Sequence, residues 1–204
     1  MHDHDHDHDH PHEDEHGHED AEAHAEHEQE LELEARRLMA LARIRQYGDP
    51  ALKMRAREVE SVDDDIRRLA ARMTDLMHEA QGVGLAATQV GVLRRVFVFV
   101  DEGEDRVLVN PVVTERSGTA EIEDEGCLSL RDVLVPVERA CSVTIEGLDA
   151  GGEPVKLELD LPSSRIVQHE LDHLDGVLII DRTDAESRRE ALAKLRPQPV
   201  LGAR

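Results

Sequence analysis

The chain has 204 residues, enough for one domain with a core and some surplus. Its formal net charge of -22 speaks against a nucleic-acid groove, and its 2 cysteines are too few for a secreted disulfide framework. No apolar run approaches the roughly 20 residues that span a bilayer, and no apolar segment near the N-terminus marks a signal peptide, so a cytoplasmic protein with no DNA or membrane partner is expected.

The charge is concentrated at the start. Residues 1–34 carry 15 acids and no Lys or Arg, leaving 31 acids against 24 bases for the remainder. Ten of the 13 histidines fall within the first 27 residues, where "MHDHDHDHDHPHEDEHGHED" alternates His with Asp and then loosens. Such a stretch has nothing to bury, so a disordered tail is expected over residues 1–30. Its imidazoles and carboxylates suit weak binding of additional divalent ions; the alternative is a solvated acidic tail without a metal role. From Glu28 the pattern turns helical. Leu31, Ala35, Leu38, Met39, Ala42 and Ile44 recur at three- and four-residue steps, which predicts a lead-in helix over 31–46. The folded domain is expected over 47–196, with a flexible C-terminus over 197–204.

"YGDP", Tyr47 to Pro50, is a turn. "SVDDDIRRLAARMTDLMHEA" predicts a helix with Ser61 as N-cap and an apolar stripe of Ile66, Leu69, Ala70, Met73, Leu76, Met77 and Ala80. "GVGLAATQVG", bounded by glycines, is expected to be a loop passing close to something. "RRVFVFV" and "RVLVNP" predict strands, followed by shorter ones at 120–123, 133–137, 141–146 and 155–161, with "GLDAGGEP" as the hairpin between the last two. "PSSRIVQHELDHLDG" predicts a helix opened by Pro162 and stopped by Gly176, and "DAESRREALAKL" a final amphipathic helix. Strands and helices do not alternate. The expected class is therefore α+β, with antiparallel or mixed sheets around a central "HELDH" helix and flanking N- and C-terminal helices.

In "HELDH", His169 and His173 stand four residues apart and so share a helix face, able to point two imidazoles at one ion. Glu170 is placed to act as general base on a water at that ion. Chance occurrence on a charged helix is the bland alternative. A zinc protease with H-E-x-x-H-x-x-G-x-x-H needs a third histidine at position 179, which here is Ile179. Glu186 and Glu190 are candidate carboxylate ligands, although solvated salt bridges explain them more simply. Cys127, in "EDEGCLSL", is a third candidate, since two His and one Cys leave one position open. Gly126 before it allows close backbone approach, and the Leu128 N–H after it is placed to face a ligand. Cys141 reads as a small buried hydrophobe in a strand.

Three segments, "GVGLAATQ" (Gly82–Gln89), "EGCLS" (Glu125–Ser129) and "QHELDH" (Gln168–His173), resemble in order and spacing the three signature motifs of the peptide deformylases. The likeness extends from "RIRQYGDPALKMRAREV" through "GVLIIDR" and includes "VLVNP". The resemblance implies an α+β cytoplasmic enzyme that removes the N-formyl group from the initiating methionine of newly synthesised chains and releases formate. By matching position it implies Cys127, His169 and His173 as metal ligands, with water in the fourth place as nucleophile. Glu170 would be base and then acid, and Gln89 with the Leu128 backbone N–H the oxyanion hole. One Fe²⁺ per chain is implied, with Zn²⁺ compatible with the same donors. N-formylmethionyl nascent polypeptides are the implied partners, with transient contact at the ribosome. Gly82 and Gly84 would let the loop lie against a bound peptide like an added strand. Val83 and Val167 are the expected apolar lining of the methionine pocket.

The sequence departs from the family in two places. After "EGCLS" it continues "LRDVLVP", so Arg131 need not match the substrate-holding Arg that members often carry in this loop. "LPSSRIVQHE" replaces the usual entry to the motif helix. Two other readings remain: a metalloprotease with a Glu ligand, in which Cys127 is dispensable, and a non-enzymatic metal-binding or storage protein, suggested by the tail.

Overall fold

The computed structural model describes the backbone of residues 16–196 and side chains from residue 27 onward. The chain divides into two units, residues 1–36 and Arg37 onward. Residues 1–15, which hold most of the His/Asp tract, lie outside the described residues, as do 197–204.

Helix α1 runs His16–Leu41, beginning at 16 rather than 31 and ending at 41 rather than 46. Its sequence is dense in Ala, Glu, Gln and Leu, strong helix formers that need no buried face to favour the helix. An exposed Glu32–Arg36 pair one turn apart adds a little. The expected apolar stripe is corrected for the same reason. Leu31, Ala35, Leu38, Met39 and Ala42 are exposed; of the expected stripe Ile44 is buried, joined by Ala40 and Leu41.

In the second unit, helix α2 (Asp64–Glu79) is capped by Asp63, whose carboxylate accepts from the Ile66 N–H at 3.0 Å. The cap is thus Asp63 rather than Ser61; the anionic side chain one turn before Ile66 meets the free amides directly. The remaining elements are β1 (Gly84–Ala86), β2 (Val96–Asp101), β3 (Glu104–Arg116), β4 (Ala120–Cys127), β5 (Leu130–Ala140), β6 (Ser142–Leu148), β7 (Pro154–Asp160), α3 (Ser163–Leu174) and α4 (Ala185–Leu195). The "GVGLAATQ" segment is not a plain loop. It contains β1 and a 3₁₀ turn, Ala87–Val90, because Gly84 to Ala86 pair with Phe99 to Phe97.

Five strands form an antiparallel sheet in the order β1-β2-β3-β6-β7, and β4-β5 form a separate hairpin. The alternation in "VFVFV" organises the layers. Val96 and Val98 face a cluster with Leu69, Met73 and Met77 of α2. Phe97 and Phe99 face the opposite cluster, with Val167 and Leu174 of α3. A third cluster joins Val133, Val135 and Val137 of β5 to Leu178, Ile180 and Ala191. The "HELDH" helix, α3, packs on the sheet through Val167 and Leu174 and bonds to β5 through Gln168 with Ala140 and Asp172 with Arg139. It ends at Leu174, and the chain turns away at Gly176, where φ is +75° and a Cβ would stand 2.7 Å from the Lys53 carbonyl oxygen. Among the described residues no helix is long and apolar enough to cross a membrane.

Candidate metal centre and active site

Cys127 is the last residue of β4, followed by a two-residue turn, Leu128-Ser129, into β5. Strand pairing shifts register here, from Gly126↔Leu134 to Cys127↔Leu130, so residues 131–133 form a bulge in which Arg131 and Asp132 are exposed, Val133 stays buried and Asp132 takes φ +60°. The altered stretch after Ser129 is this bulge. The turn brings the thiol to α3. The donor atoms of Cys127, His169 and His173 lie within 4.8 Å of one another, and Cys127 Sγ is 3.2 Å from His173 Nε2.

His169 turns its Nδ1 to Glu125 Oε2 at 3.0 Å. A carboxylate behind an imidazole fixes the tautomer that leaves Nε2 free for an ion. Arg139 holds Glu125 through two bonds, Nε to Oε1 at 2.9 Å and Nη2 to Oε2 at 3.0 Å. Arg165 adds a third at 2.9 Å. Arg139 also reaches Asp172 at 2.6 Å, and Arg182 binds both Asp172 oxygens. Burial alone would raise the Glu125 carboxyl. The hydrogen bonds from His169 and Arg139 outweigh it and hold the carboxyl at about 2.

The neighbouring carboxylate has the opposite environment. Glu170 is buried, and its Oε2 has no hydrogen-bond partner. Burial pushes its pKa up to about 7, against the charge of His169. Gly84 of β1 makes room for it, since a Cβ there would come 2.9 Å from Glu170 Cδ. Burial opposes charge on His169, but the contacts with Cys127 and Glu125 prevail and its pKa lies well above the usual value. Burial and the charges of His169 and Arg139 keep His173 well below it. One thiol and two imidazoles converging on a point, beside a carboxylate oxygen with no partner, fit a borderline divalent ion and a water.

Gln89, buried in the 3₁₀ turn, accepts from the Ala86 N–H at 2.8 Å through Oε1. That bond fixes the amide so that Nε2 faces Ser129 Oγ at 3.2 Å and Cys127 Sγ at 3.8 Å. Gly82 lies against Leu128, because a Cβ on Gly82 would stand 2.8 Å from Leu128 Cδ1. The structure therefore gathers Cys127, His169, His173, Glu170, Gln89, Leu128, Gly82 and Gly84 in one region. Val83 is exposed at its rim. Val167 is corrected: it is fully buried against Phe97 and Leu174, on the α3 face that packs on the sheet, with no surface for a ligand. Glu186 and Glu190 are exposed on α4, Glu186 facing Arg189, and neither joins a three-donor group among the described residues. Cys141 is likewise outside the group.

Sequence reasoning missed the support: Glu125, Asp172, Arg139, Arg165 and Arg182. Glu125 and Asp172 lie inside the quoted motifs, and a metal-bound imidazole needs an acceptor behind it. That requirement was the available signal for Glu125. Nothing local marked the arginines.

The family described as polypeptide deformylase matches residues 41–189. The peptide deformylase of Natranaerobius thermophilus is 42% identical over 154 residues, covering 74% of this chain and 98% of that protein. That of Acidothermus cellulolyticus is 45% identical over 164 residues, covering 80% and 91%. Among solved structures, the peptide deformylase of Thermus thermophilus superposes with TM-score 0.70 at 43% identity, covering 74% of this chain and 91% of that one. The Synechococcus elongatus enzyme, in complex with actinonin, gives 0.71 at 38% identity, covering 74% and 84%.

Proposed function

This chain belongs to the polypeptide deformylase family, metal-dependent hydrolases that remove the N-formyl group from nascent peptides, and we propose that its own substrate is the formyl-methionyl end of newly made proteins. The observation that carries this reading is the pairing of a three-donor group with a buried, unpartnered carboxylate oxygen on Glu170. Cys127, His169 and His173 would hold the ion, Fe²⁺ by family resemblance, with Zn²⁺ compatible with the same donors. The ion supplies Lewis acidity, which makes water nucleophilic near neutral pH.

A formamide is a stable amide, and its hydrolysis moves one proton twice. Glu170 takes the proton from the attacking water and delivers it to the leaving amine. Burial disfavours its charged form and so favours its taking up the proton, which it can then give to the amine. As the carbonyl oxygen gains charge, the Gln89 Nε2 and the Leu128 N–H stabilise it, each contributing on the order of 3 kcal/mol in comparable sites. Glu125 keeps His169 in the correct tautomer throughout. The open edge of β1, with Gly82 and Gly84, accepts the substrate backbone as an added strand, and Val83 meets its apolar side chain.

From a substrate of this kind we infer a protein that works in the cytoplasm, in transient contact with the ribosome as chains emerge. For the His/Asp tract outside the described residues, composition supports weak binding of extra divalent ions. Deleting residues 1–27 should lower the ion-to-protein ratio in equilibrium dialysis; an unchanged ratio would remove that role.

The test of the main reading is formate release from a formyl-Met peptide by protein purified anaerobically with Fe²⁺. Turnover that stops on chelation and returns with the ion supports it. A loaded protein that releases no formate would defeat it.

A further inference from the structure

The two oxyanion donors stand on different elements, Gln89 on the 3₁₀ turn after β1 and Leu128 in the β4–β5 turn. A third segment, Arg45 to Tyr47, bonds to both. The Arg45 N–H donates to the Gln89 carbonyl at 2.7 Å, and the Tyr47 N–H to the Ser129 carbonyl at 2.8 Å. Between them, the Gln46 side chain donates from Nε2 to the Leu128 carbonyl at 3.1 Å and to the Ile44 carbonyl at 3.1 Å. Its Oε1 accepts from Arg131 Nε at 3.3 Å, in the bulge where this sequence departs from its family. Both carbonyls of the two-residue turn are thus held from outside, and both by this segment.

Resting on the deformylase reading above, we propose that Gln46 is a positioning residue: it locks the Leu128-Ser129 turn so that the Leu128 N–H and the Gln89 amide converge on one oxygen. The reason is geometric. A two-residue turn between strands has few restraints of its own; the plane whose carbonyl Gln46 holds shares the Leu128 Cα with the plane that carries the Leu128 N–H, so fixing the first limits rocking of the second, which would move the N–H away from the developing charge. Ser129 makes the coupling two-sided, since its hydroxyl accepts from Gln89 Nε2 while its carbonyl is held by Tyr47. Of the three bonds from the segment to the donor elements, only the one from Gln46 depends on a side chain. Replacing Gln46 therefore leaves the two backbone bonds as anchors, and the fold should survive. Arg131 holds the far end of the Gln46 amide, which gives it a secondary part in setting that amide's direction.

The test compares wild type, Gln46→Ala, Gln46→Glu and Glu170→Gln in full-length, Fe²⁺-loaded protein on a formyl-Met peptide. Gln46→Ala should lose about tenfold to a hundredfold in kcat, as loosened donors do. Its KM should stay within about twofold, and Tm and ion stoichiometry should match wild type. Gln46→Glu keeps an acceptor for Arg131 but has no donor for the Leu128 carbonyl, so it should be as slow as Gln46→Ala. A Gln46→Ala enzyme with wild-type kcat, or one whose lost rate is accounted for by lost ion or lowered Tm, overturns the proposal. So does a Gln46→Glu enzyme of wild-type rate. If wild type turns over and Glu170→Gln does not, such a result sinks the Gln46 role alone. A wild type without turnover sinks the deformylase reading and this inference with it.

Discussion

Helices α2 and α3 cover opposite faces of one sheet and bury opposite kinds of side chain. On α2 the buried residues are Ile66, Leu69, Ala70, Met73, Leu76 and Met77, and its charged groups pair at the exposed surface, Asp64 with Arg67, Asp65 with Arg68 and Glu79 with Arg43. On α3 the buried residues include Arg165, Gln168, Glu170, Asp172 and His173. Burying a polar or charged group costs free energy unless a partner meets it. Arg165 and Asp172 find charged partners on β4, β5 and the segment after α3, and Gln168 bonds to the backbone of Ala140 and Ser164. Glu170 Oε2 does not. His173 Nδ1 and Arg165 Nε also lack hydrogen-bond partners, the latter lying 3.2 Å from Glu123, but Glu170 Oε2 is the one unpartnered acid oxygen among them and it stands beside the three donors, where a reactant belongs. One helix supplies stability; the other spends it to hold a site.

That contrast can be broken by substitution, and the largest effect is expected at the site. Cys127→Ser should weaken ion binding and cost more than about 100-fold in activity, because a ligand is lost. Cys141→Ser should leave both nearly intact, and metal content that tracks Cys141 instead would mean the wrong thiol has been chosen. Glu125→Gln removes the anion behind His169 and should lower metal affinity by about 10- to 100-fold. Metal titration reads it, and unchanged affinity would reduce Glu125 to a packing role. On α2 the pattern should invert. Met73→Ala should lose about 2–5 kcal/mol of stability in urea unfolding, while the kcat of the folded fraction stays at wild type. A selective loss of kcat there would erase the distinction between the helices.

The smallest expected effect lies beyond α3. Asp181 accepts from Arg188 at 2.8 Å and from the Leu178 N–H at 2.9 Å, and it pairs with Lys53. Burial would raise its pKa, but these bonds, led by Lys53, lower it. A carboxyl depressed in the folded state stabilises above its unfolded pKa, near 4, and that contribution fades as pH falls through the folded value. Asp181→Asn should therefore cost well under about 1 kcal/mol at neutral pH, and the difference from wild type should shrink below pH 4. A difference that grows in acid would reverse the sign argued here.

The asymmetry between the helices also explains what could be read from the chain alone. Helix α2 is legible because an apolar stripe at helical spacing has one meaning. So is β2, where Val and Phe alternate. The "HELDH" pair is legible because four residues is one helical turn, and the thiol because the motif around it is specific. The support is not. Arg139 meets Glu125 and Asp172 across 14 and 33 residues, and Gln46 meets Leu128 across 82. Such pairings are set by how β4–β5 folds over α3, and no local periodicity carries them. Val167 misleads for a related cause: it lies next to the motif and so suggests the pocket, but its helix face is the one that packs on Phe97. The start of α1 is hidden because a polar, acidic segment has no burial pattern to read, and its helix rests on propensity.

The central claim is that the unpartnered carboxylate of Glu170 carries the proton. Glu170→Gln, loaded with Fe²⁺ and assayed for formate release with its metal content measured in the same sample, tests it most directly. The expected result is a full complement of ion, an unchanged fold and a rate reduced by about 10²- to 10⁴-fold, the usual share of a positioned acid–base group. A variant that holds its ion and keeps more than about a tenth of wild-type turnover, well above that range, would contradict it.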